Sequence, residues 1–149
     1  MRKLFIYFSH TGNGDFVASI LKEKEFEIRK IETEKKVLPD SFFFKMMVGG
    51  FKAWIGSSPK LSLYPKNIDD FSEIYIGSPI WNGRLATPIN TLLKELKLDG
   101  KKITFVLYSG SGTSKGATKK ISKLFPEARI INLQEPKKYN EEAADRLSL

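Results

Sequence analysis

Short apolar runs alternate along the chain with longer segments in which apolar residues recur every three or four positions. The runs of strand length lie at residues 3–8, 25–31, 73–78, 102–108 and 128–133. Segments with helical spacing or helix-opening signals lie at residues 15–21, 88–98, 115–125 and 140–147. The third and fourth runs are continuously apolar, as in central strands, whereas charges interrupt the second, as in a short edge strand. This alternation predicts an α/β fold, a parallel sheet covered by helices.

Two of the predicted helices place apolar side chains along one face. In the helix at 88–98, the inward residues are Ile89, Leu92, Leu93 and Leu96. In the helix at 115–125, they are Ala117, Ile121, Leu124 and Phe125. We expect both faces to pack on the sheet. The last helix follows Pro136 and is predicted to open with a cap at Asn140.

A long connection, residues 33–72, separates the second and third strands and contains a densely apolar stretch at 42–55. This stretch is too short and too interrupted to span a membrane. It is predicted to be a helix packed on the sheet, with its aromatic side chains in the core. The alternatives are a lid or partner-docking surface with Trp54 or a phenylalanine exposed, and an interfacial membrane helix.

The composition is that of one folded domain without thiol chemistry. The 149 residues are 41% hydrophobic and 28% charged, so residues 1–149 are predicted to form a single domain. The absence of cysteine excludes disulfides, a thiolate nucleophile, cysteine-ligated zinc and iron–sulfur clusters, so redox chemistry would require a bound cofactor. The first apolar run stops at Ser9 without a signal-peptide cleavage site, which predicts a cytoplasmic protein.

The charge is basic and unevenly distributed. Lysine and arginine number 25 against 17 acids, a net charge of +8, and residues 101–123 hold six lysines and no acid. Such a surface favours anionic partners or ligands by steering. No zinc-finger, RRM or basic-zipper pattern is present, so nucleic acid is not the expected partner.

Three loops with polar or glycine-rich sequences each follow a predicted strand. The first contains Ser9, His10, Thr11, Gly12, Asn13 and Gly14. The second contains Pro79, Ile80, Trp81, Asn82 and Gly83. The third contains Ser109, Gly110, Ser111 and Gly112. Because ligands bind at the carboxyl ends of the strands in an open α/β sheet, we expect these loops to form one site.

The first loop combines hydroxyls, an amide and glycines between a strand and the start of a helix. This combination binds phosphate through backbone N–H groups and hydroxyl donors. It is not a Walker motif, because the required lysine is absent, and Gly12 and Gly14 lack the third glycine of a dinucleotide fingerprint. The alternative is plain turn geometry, with Ser9 or Thr11 capping the helix.

Two ionisable residues lie in or beside this loop. His10 is the only histidine, and a solvent-facing position is expected for it rather than a role as general acid. Asp15 is expected to interact with the positive end of the helix dipole, because a carboxylate facing a phosphate would repel it.

The three loops, in their order and spacing, resemble those of the flavodoxin-like family. The first resembles the family's T-x-T-G-N-T phosphate loop, and the second has Pro88 beyond it. The resemblance covers essentially the whole chain. It implies a three-layer, doubly wound sandwich with a five-stranded parallel sheet in the order 2-1-3-4-5, and flavin mononucleotide (FMN) at the switch point. The chain departs from the family in having Gly14 where the last Thr stands and in being basic where electron-carrier flavodoxins are acidic.

The resemblance implies that the first loop holds the FMN phosphate. The hydroxyls of Ser9 and Thr11, the N–H groups of residues 11–15 and the Asn13 amide would be the donors. Because the loop suits one terminal phosphate, FMN is expected to bind in preference to FAD or riboflavin.

The other two loops would then lie around the flavin ring. Trp81 is expected to cover the ring, with core packing as the alternative. The peptide at Asn82 and Gly83 would lie near the flavin's reactive nitrogen and reorient its carbonyl on reduction. Gly110 and Gly112 would let the backbone approach the ring edge.

These expectations combine into an FMN-binding protein that transfers electrons between redox partners. The alternatives are a small flavin-dependent NAD(P)H or quinone-type reductase and a binding module that has lost the flavin. Lys115, Lys119 and Lys123 share one face of the predicted helix at 115–125. That face would steer an acidic redox partner, or it is simply solvated.

Overall fold

The computed structural model describes residues 2–35 and 58–148. Its strands are β1 (Arg2–Tyr7), β2 (Glu27–Lys30), β3 (Phe71–Trp81), β4 (Arg84–Leu85), β5 (Lys102–Ser109) and β6 (Arg129–Gln134). Its helices are α1 (Asn13–Glu23), α2 (Thr87–Glu95), α3 (Lys115–Leu124) and α4 (Asn140–Arg146). The apolar stretch at 42–55 lies outside the described residues. No helix within the two described ranges is long and apolar enough to cross a membrane.

Five strands form a parallel sheet in the spatial order β2-β1-β3-β5-β6, with the short β4 attached to β3. The predicted order is confirmed, since β4 is an addition outside the parallel series. β1 lies inside the sheet, where Phe5 pairs with Ile28 of β2 on one side and with Tyr75 of β3 on the other. Because the five strands are parallel, their carboxyl ends all reach the same edge.

Side chains alternate across the sheet and build a core on each face. On one face, Ile76 of β3 lies in a cluster with Ile89 of α2 and Ile121 of α3. On the other face, Tyr75 shares a cluster with Val17 of α1 and Ala143 of α4. This arrangement gives the three layers that were predicted, helices on both faces of a central sheet.

The predicted second loop is wrong in its secondary structure. β3 continues to Trp81, so Pro79 and Ile80 are strand residues. The chain then reverses over Asn82 and Gly83 into the antiparallel β4. Asn82 has φ 51° and Gly83 has φ 74°, the pair of positive values that a type I′ turn requires. Asn-Gly is the preferred sequence for this turn, because both residues tolerate the left-handed region, and the sequence analysis overlooked that signal.

Several helix ends also differ from prediction. Leu124 was expected to point inward, but it is 55% exposed, because α3 ends there and the following Phe125 turns in to pack on Phe105, with ring centroids 5.6 Å apart. The predicted cap at Asn140 is wrong: α4 follows Tyr139, which forms no side-chain capping hydrogen bond. α1 begins at Asn13, two residues earlier than predicted, so the first loop runs directly into the helix.

Candidate functional site

The end of β5 reaches beneath the first loop. The Tyr108 hydroxyl donates a hydrogen bond to the Phe8 carbonyl, and the Phe8 N–H donates to the Gly77 carbonyl of β3 at 3.2 Å. Burial raises the pKa of Tyr108 well above that of an ordinary tyrosine, so the hydroxyl remains a donor. The ends of β1, β3 and β5 are thus joined directly at the edge where the site was predicted.

Gly14 lies in the first turn of α1, against that hydroxyl. A Cβ atom at this position would lie 2.5 Å from the Tyr108 hydroxyl oxygen, 2.8 Å from Ser9 Cβ and 2.8 Å from Tyr7 Cδ2. Tyr7, Ser9 and Tyr108 are all buried, so none of these atoms is free to move aside. The departure from the family's Thr is therefore a packing requirement, because the tyrosines fill the space that a larger residue would need.

Ser9 and Asp15 belong to a hydrogen-bond network below the rim of the loop. The Gly14 N–H donates to Ser9 Oγ at 3.1 Å, so Ser9 takes the capping role that was the alternative for it. The Tyr7 hydroxyl donates to Asp15 Oδ1 at 2.8 Å, and Lys30 Nζ lies 3.0 Å from the same oxygen. Asp15 is therefore held by Tyr7 and Lys30 and does not act through the helix dipole alone.

The protonation states of this network follow from its contacts. Burial alone would raise the pKa of Asp15, but hydrogen bonds from Lys30, Tyr7 and Ser9 outweigh burial and lower it. Burial and the hydrogen bond to Asp15 raise the pKa of Tyr7. At neutral pH the carboxylate is charged, and the Lys30 ammonium compensates it.

Unused donors lie along the rim of the first loop. Thr11 is exposed, and the Asn13 amide donates weakly to its hydroxyl oxygen at 3.4 Å. The N–H groups of Asn13 and Asp15 open α1 and donate to no acceptor within residues 2–35 and 58–148. His10 is exposed, as predicted. The rim thus presents N–H groups and a hydroxyl at the positive end of the helix dipole.

The segment between β6 and α4 also borders the site, which the sequence analysis missed. The Lys137 N–H donates to Asn13 Oδ1 at 3.1 Å. The Gln134 amide donates to the Gly110 carbonyl at 3.1 Å. Loops that follow parallel strands lie at the ligand-binding edge, and residues 135–139 follow β6 as residues 8–12 follow β1. Their position after a strand could therefore have placed them at the site.

The β3–β4 hairpin forms the opposite end of the site. The ring of Trp81 is half-buried and meets Phe8 edge-on, with centroids 5.8 Å apart. A Cβ atom at the exposed Gly83 would have no neighbour within 4 Å. The Gly83 carbonyl accepts a hydrogen bond from the Ala117 N–H of α3 at 2.8 Å. That bond fixes the Gly83 carbonyl. The carbonyl expected to reorient on flavin reduction would therefore be that of Asn82.

The third loop is closed by its own hydroxyls and open on its outer side. Both Ser109 and Ser111 hydrogen-bond to the Thr113 carbonyl, at 3.1 and 3.4 Å. A Cβ atom at Gly110 would meet nothing within 4 Å, whereas one at Gly112 would lie 3.0 Å from a side-chain atom at the end of β6. Gly110 therefore leaves room for a ligand, and Gly112 serves the packing of the loop.

A small cationic pocket adjoins the hairpin. It has a volume of about 30 Å³ and is lined by Arg84, Leu85, Asn90, Gly116, Ala117 and Lys120. Lys120 Nζ donates to Asn90 Oδ1 at 3.1 Å, and desolvation together with the charges of Arg84 and Lys94 lowers the pKa of Lys120. Lys115, Lys119 and Lys123 are exposed on the same helix, as predicted. Lys120 thus contacts α2 and differs in this from the three exposed lysines.

The sequence match decides the family. A family model described as flavodoxin matches residues 53–148. The chain belongs to the flavodoxin family. The match includes the hairpin and the third loop of this flavodoxin, and the first loop precedes it. No curated protein matches the chain in sequence.

Solved structures similar to this flavodoxin share its fold. A flavoprotein from Lactobacillus acidophilus, in complex with FMN, has a TM-score of 0.73 at 21% identity, covering 94% of this chain and 97% of the other. A protein considered to be a flavoprotein, from Bacteroides uniformis, has a TM-score of 0.69 at 23% identity, covering 95% and 96%. Oxidised flavodoxin 1 from Bacillus cereus has a TM-score of 0.50 at 16% identity, covering 97% and 93%.

Proposed function

We propose that this flavodoxin binds FMN and transfers electrons between redox partners. The observation that carries the proposal is the rim of the first loop, where the Thr11 hydroxyl lies beside the N–H groups of Asn13 and Asp15 at the start of α1. These N–H groups have no acceptor in the part of the chain that the structure describes. These groups would hold the terminal phosphate. The Lactobacillus acidophilus flavoprotein with the same fold contains FMN, which supports this choice of ligand.

The charges around the first loop fit a phosphate. The Asp15 carboxylate would repel an anion, but it is paired with Lys30 at 3.0 Å. Gly14 supplies no hydroxyl, and the Ser9 hydroxyl accepts from the Gly14 N–H and donates to the Asp15 carboxylate. Ser9 remains a predicted ligand, but its hydrogen bonds stabilise the loop. Thr11 is therefore the hydroxyl that we expect to donate to the phosphate.

The hairpin and the third loop fit a flat ring. Trp81 presents the exposed part of an aromatic side chain, and Gly83 and Gly110 leave open space where a side chain would stand. We place the flavin between Trp81 and residues 109–112, with the Asn82 carbonyl at its reactive edge. FMN would supply the redox chemistry when bound, and Trp81 and the third loop would hold its ring.

The exposed lysines of α3 favour an acidic redox partner. Their helix is bound to the hairpin through the Gly83 carbonyl, so Lys115, Lys119 and Lys123 extend from the proposed ring site. Exposed charges of one sign steer partners of the other sign and increase the association rate. This supports a carrier that docks with its flavin edge toward the partner.

The cofactor is tested by spectroscopy and titration. The purified protein is expected to show flavin absorption, and the stripped protein to bind FMN more tightly than FAD or riboflavin. Equal affinity for riboflavin would contradict the phosphate site. A protein that takes up no flavin would support the binding module that lacks it.

The electron-transfer role is tested with nicotinamide cofactors and charge variants. A carrier is expected to be reduced slowly by NAD(P)H alone and rapidly through a reductase, whereas rapid direct reduction would favour the small reductase. Lys119→Glu with Lys123→Glu should slow reduction by a partner and weaken its salt dependence without changing FMN affinity. Lys22→Glu with Lys24→Glu is the matched control, because it reverses the same number of charges at the far end of α1.

A further inference from the structure

Lys137 brings a side-chain ammonium group to the first loop. Its N–H is bound to Asn13 Oδ1 at 3.1 Å, which fixes the backbone of residues 135–139 against the start of α1. Its side chain lies over Gly12: a Cβ atom added at Gly12 would be 3.7 Å from Lys137 Nζ and 3.9 Å from Lys137 Cδ. Backbone and side chain together place the charge at the rim that carries the free N–H groups.

The charge of Lys137 is not neutralised by an acid within the described ranges. Its neighbour Lys138 lies 3.8 Å from Glu135, and Lys30 pairs with Asp15, but no carboxylate lies within 4.0 Å of Lys137 Nζ in residues 2–35 and 58–148. An exposed ammonium group near the positive end of a helix raises the local positive potential. This placement is unfavourable for the protein alone and favourable for a bound anion.

We propose that Lys137 is a ligand of the FMN phosphate and supplies the interaction that Gly14 cannot. The inference rests on the proposed function, because it concerns the same phosphate. At Gly14 the chain has no hydroxyl, and the Ser9 hydroxyl donates to the Asp15 carboxylate, so the loop has fewer side-chain donors than the family pattern provides. A lysine binds phosphate as a point charge and requires no fixed fork geometry, which suits a long side chain on the surface.

The segment between β6 and α4 holds Lys137 in place. Gln134 ends β6 with a hydrogen bond to the third loop and Asn140 begins α4, so the short segment between them runs from the third loop to the start of α1. Pro136 is buried in that segment. Anchored on both sides, the segment holds Lys137 over Gly12 with a backbone hydrogen bond that any substituent at position 137 other than proline would keep.

Three variants of the full chain test the proposal by ligand binding. Lys137→Gln removes the charge and keeps the backbone contact, Lys137→Arg keeps the charge, and Lys138→Gln is the matched control that removes a neighbouring charge. Affinities of the stripped proteins for FMN and riboflavin are measured at low and at moderate salt. Circular dichroism checks that each variant is folded.

We expect Lys137→Gln to weaken FMN binding about tenfold at low salt, and less at moderate salt, because screening weakens the interaction in the parent. Riboflavin binding should change less than about twofold, because riboflavin lacks the phosphate that the Lys137 charge would bind. Lys137→Arg should stay within about threefold of the parent for FMN, because it keeps the charge at the phosphate. Lys138→Gln should also stay within about threefold, because an exposed charge away from the ligand contributes little.

Other results would overturn the proposal in distinguishable ways. If Lys137→Gln weakens FMN no more than Lys138→Gln, or weakens riboflavin equally, Lys137 is not a phosphate ligand although the phosphate site stands. If the parent itself binds riboflavin as tightly as FMN, or binds neither, the proposed function fails and the role of Lys137 fails with it.

Discussion

The two ends of the proposed site use glycine for opposite purposes. At the phosphate end, a Cβ atom on Gly14 would lie 2.5 Å from the Tyr108 hydroxyl oxygen. At the ring end, a Cβ atom on Gly83 or Gly110 would meet nothing within 4 Å. The phosphate end is therefore already packed against buried tyrosines, whereas the ring end is left open. The difference indicates that the first loop is preformed without a ligand, whereas the proposed ring site leaves space that a bound ring would fill.

The largest effect is expected from Gly14→Thr, which restores the family residue. It should destabilise the ligand-free protein by about 3 kcal/mol, because overpacking against buried side chains has this magnitude. Urea unfolding of the stripped protein measures the change. Gly110→Ala is the matched control and should change stability by less than about 0.5 kcal/mol, since the position is open. If Gly14→Thr left the stability unchanged and bound FMN more tightly, the phosphate end would have room for a side chain and would not differ from the ring end.

The source of the crowding is identified by adding Tyr108→Phe. That change alone leaves the buried Phe8 carbonyl without its donor and should cost about 1–3 kcal/mol. In the double variant with Gly14→Ala, Tyr108→Phe also removes the hydroxyl oxygen nearest the new Cβ atom. The double variant should therefore lose less stability than the sum of the losses of the two single variants. Strict additivity would show that Ser9 and Tyr7 alone cause the clash.

Trp81→Ala tests whether the ring end is open to a ligand or merely a half-buried part of the core. We expect a loss of stability of about 2 kcal/mol, below the cost of removing a fully buried aromatic side chain, because part of the ring is exposed. If the exposed part stacks on the flavin, Trp81 fluorescence should be strongly quenched by FMN in a Trp54→Phe background. Unquenched fluorescence would leave Trp81 as a core residue only.

Thr11→Ala tests the phosphate end from its exposed side. It should weaken FMN by about 1–2 kcal/mol, the contribution of one hydrogen bond to a charged group, and leave riboflavin affinity nearly unchanged. Isothermal titration with both ligands measures the difference. Equal losses for both would place Thr11 near the ring or in the fold rather than at the phosphate.

The smallest effect concerns the pH dependence of the network under the loop. The pKa of Asp15 is lowered in the folded protein, so its ion pair with Lys30 contributes stability above the ordinary carboxyl pKa, and this contribution is lost as pH falls below that value. Asp15→Asn should reduce stability by less than about 1 kcal/mol at pH 7, because the pair is partly exposed. Urea midpoints of parent and variant should converge as the pH falls from the ordinary carboxyl pKa through the lowered pKa of Asp15, and parallel curves would contradict the assignment.

The sequence predicted the sheet more completely than the site. The strands and covering helices followed from the periodic apolar runs, and the expected convergence of the loops followed from the rule for carboxyl ends. The strand order followed only from the resemblance to the flavodoxin-like family. The hairpin at Asn82 was missed because Gly77, Ser78 and Pro79 interrupt the apolar run and favour a loop, whereas β3 continues through them to Trp81. The crowding at Gly14 depends on Tyr108, which lies far along the chain, so no local pattern contains it.

The bracing of the first loop has a consequence for how this protein is made. The loop at Gly14 is synthesised early, but the groups that shape it, the Tyr108 hydroxyl and the Lys137 N–H, emerge about a hundred residues later. Contacts between residues so far apart in the chain form late, because each requires closing a long loop of unfolded chain. A ribosome-bound fragment that ends before Lys137 would therefore lack a group that shapes the first loop, and its flavin uptake would report whether Tyr108 and Lys137 have emerged.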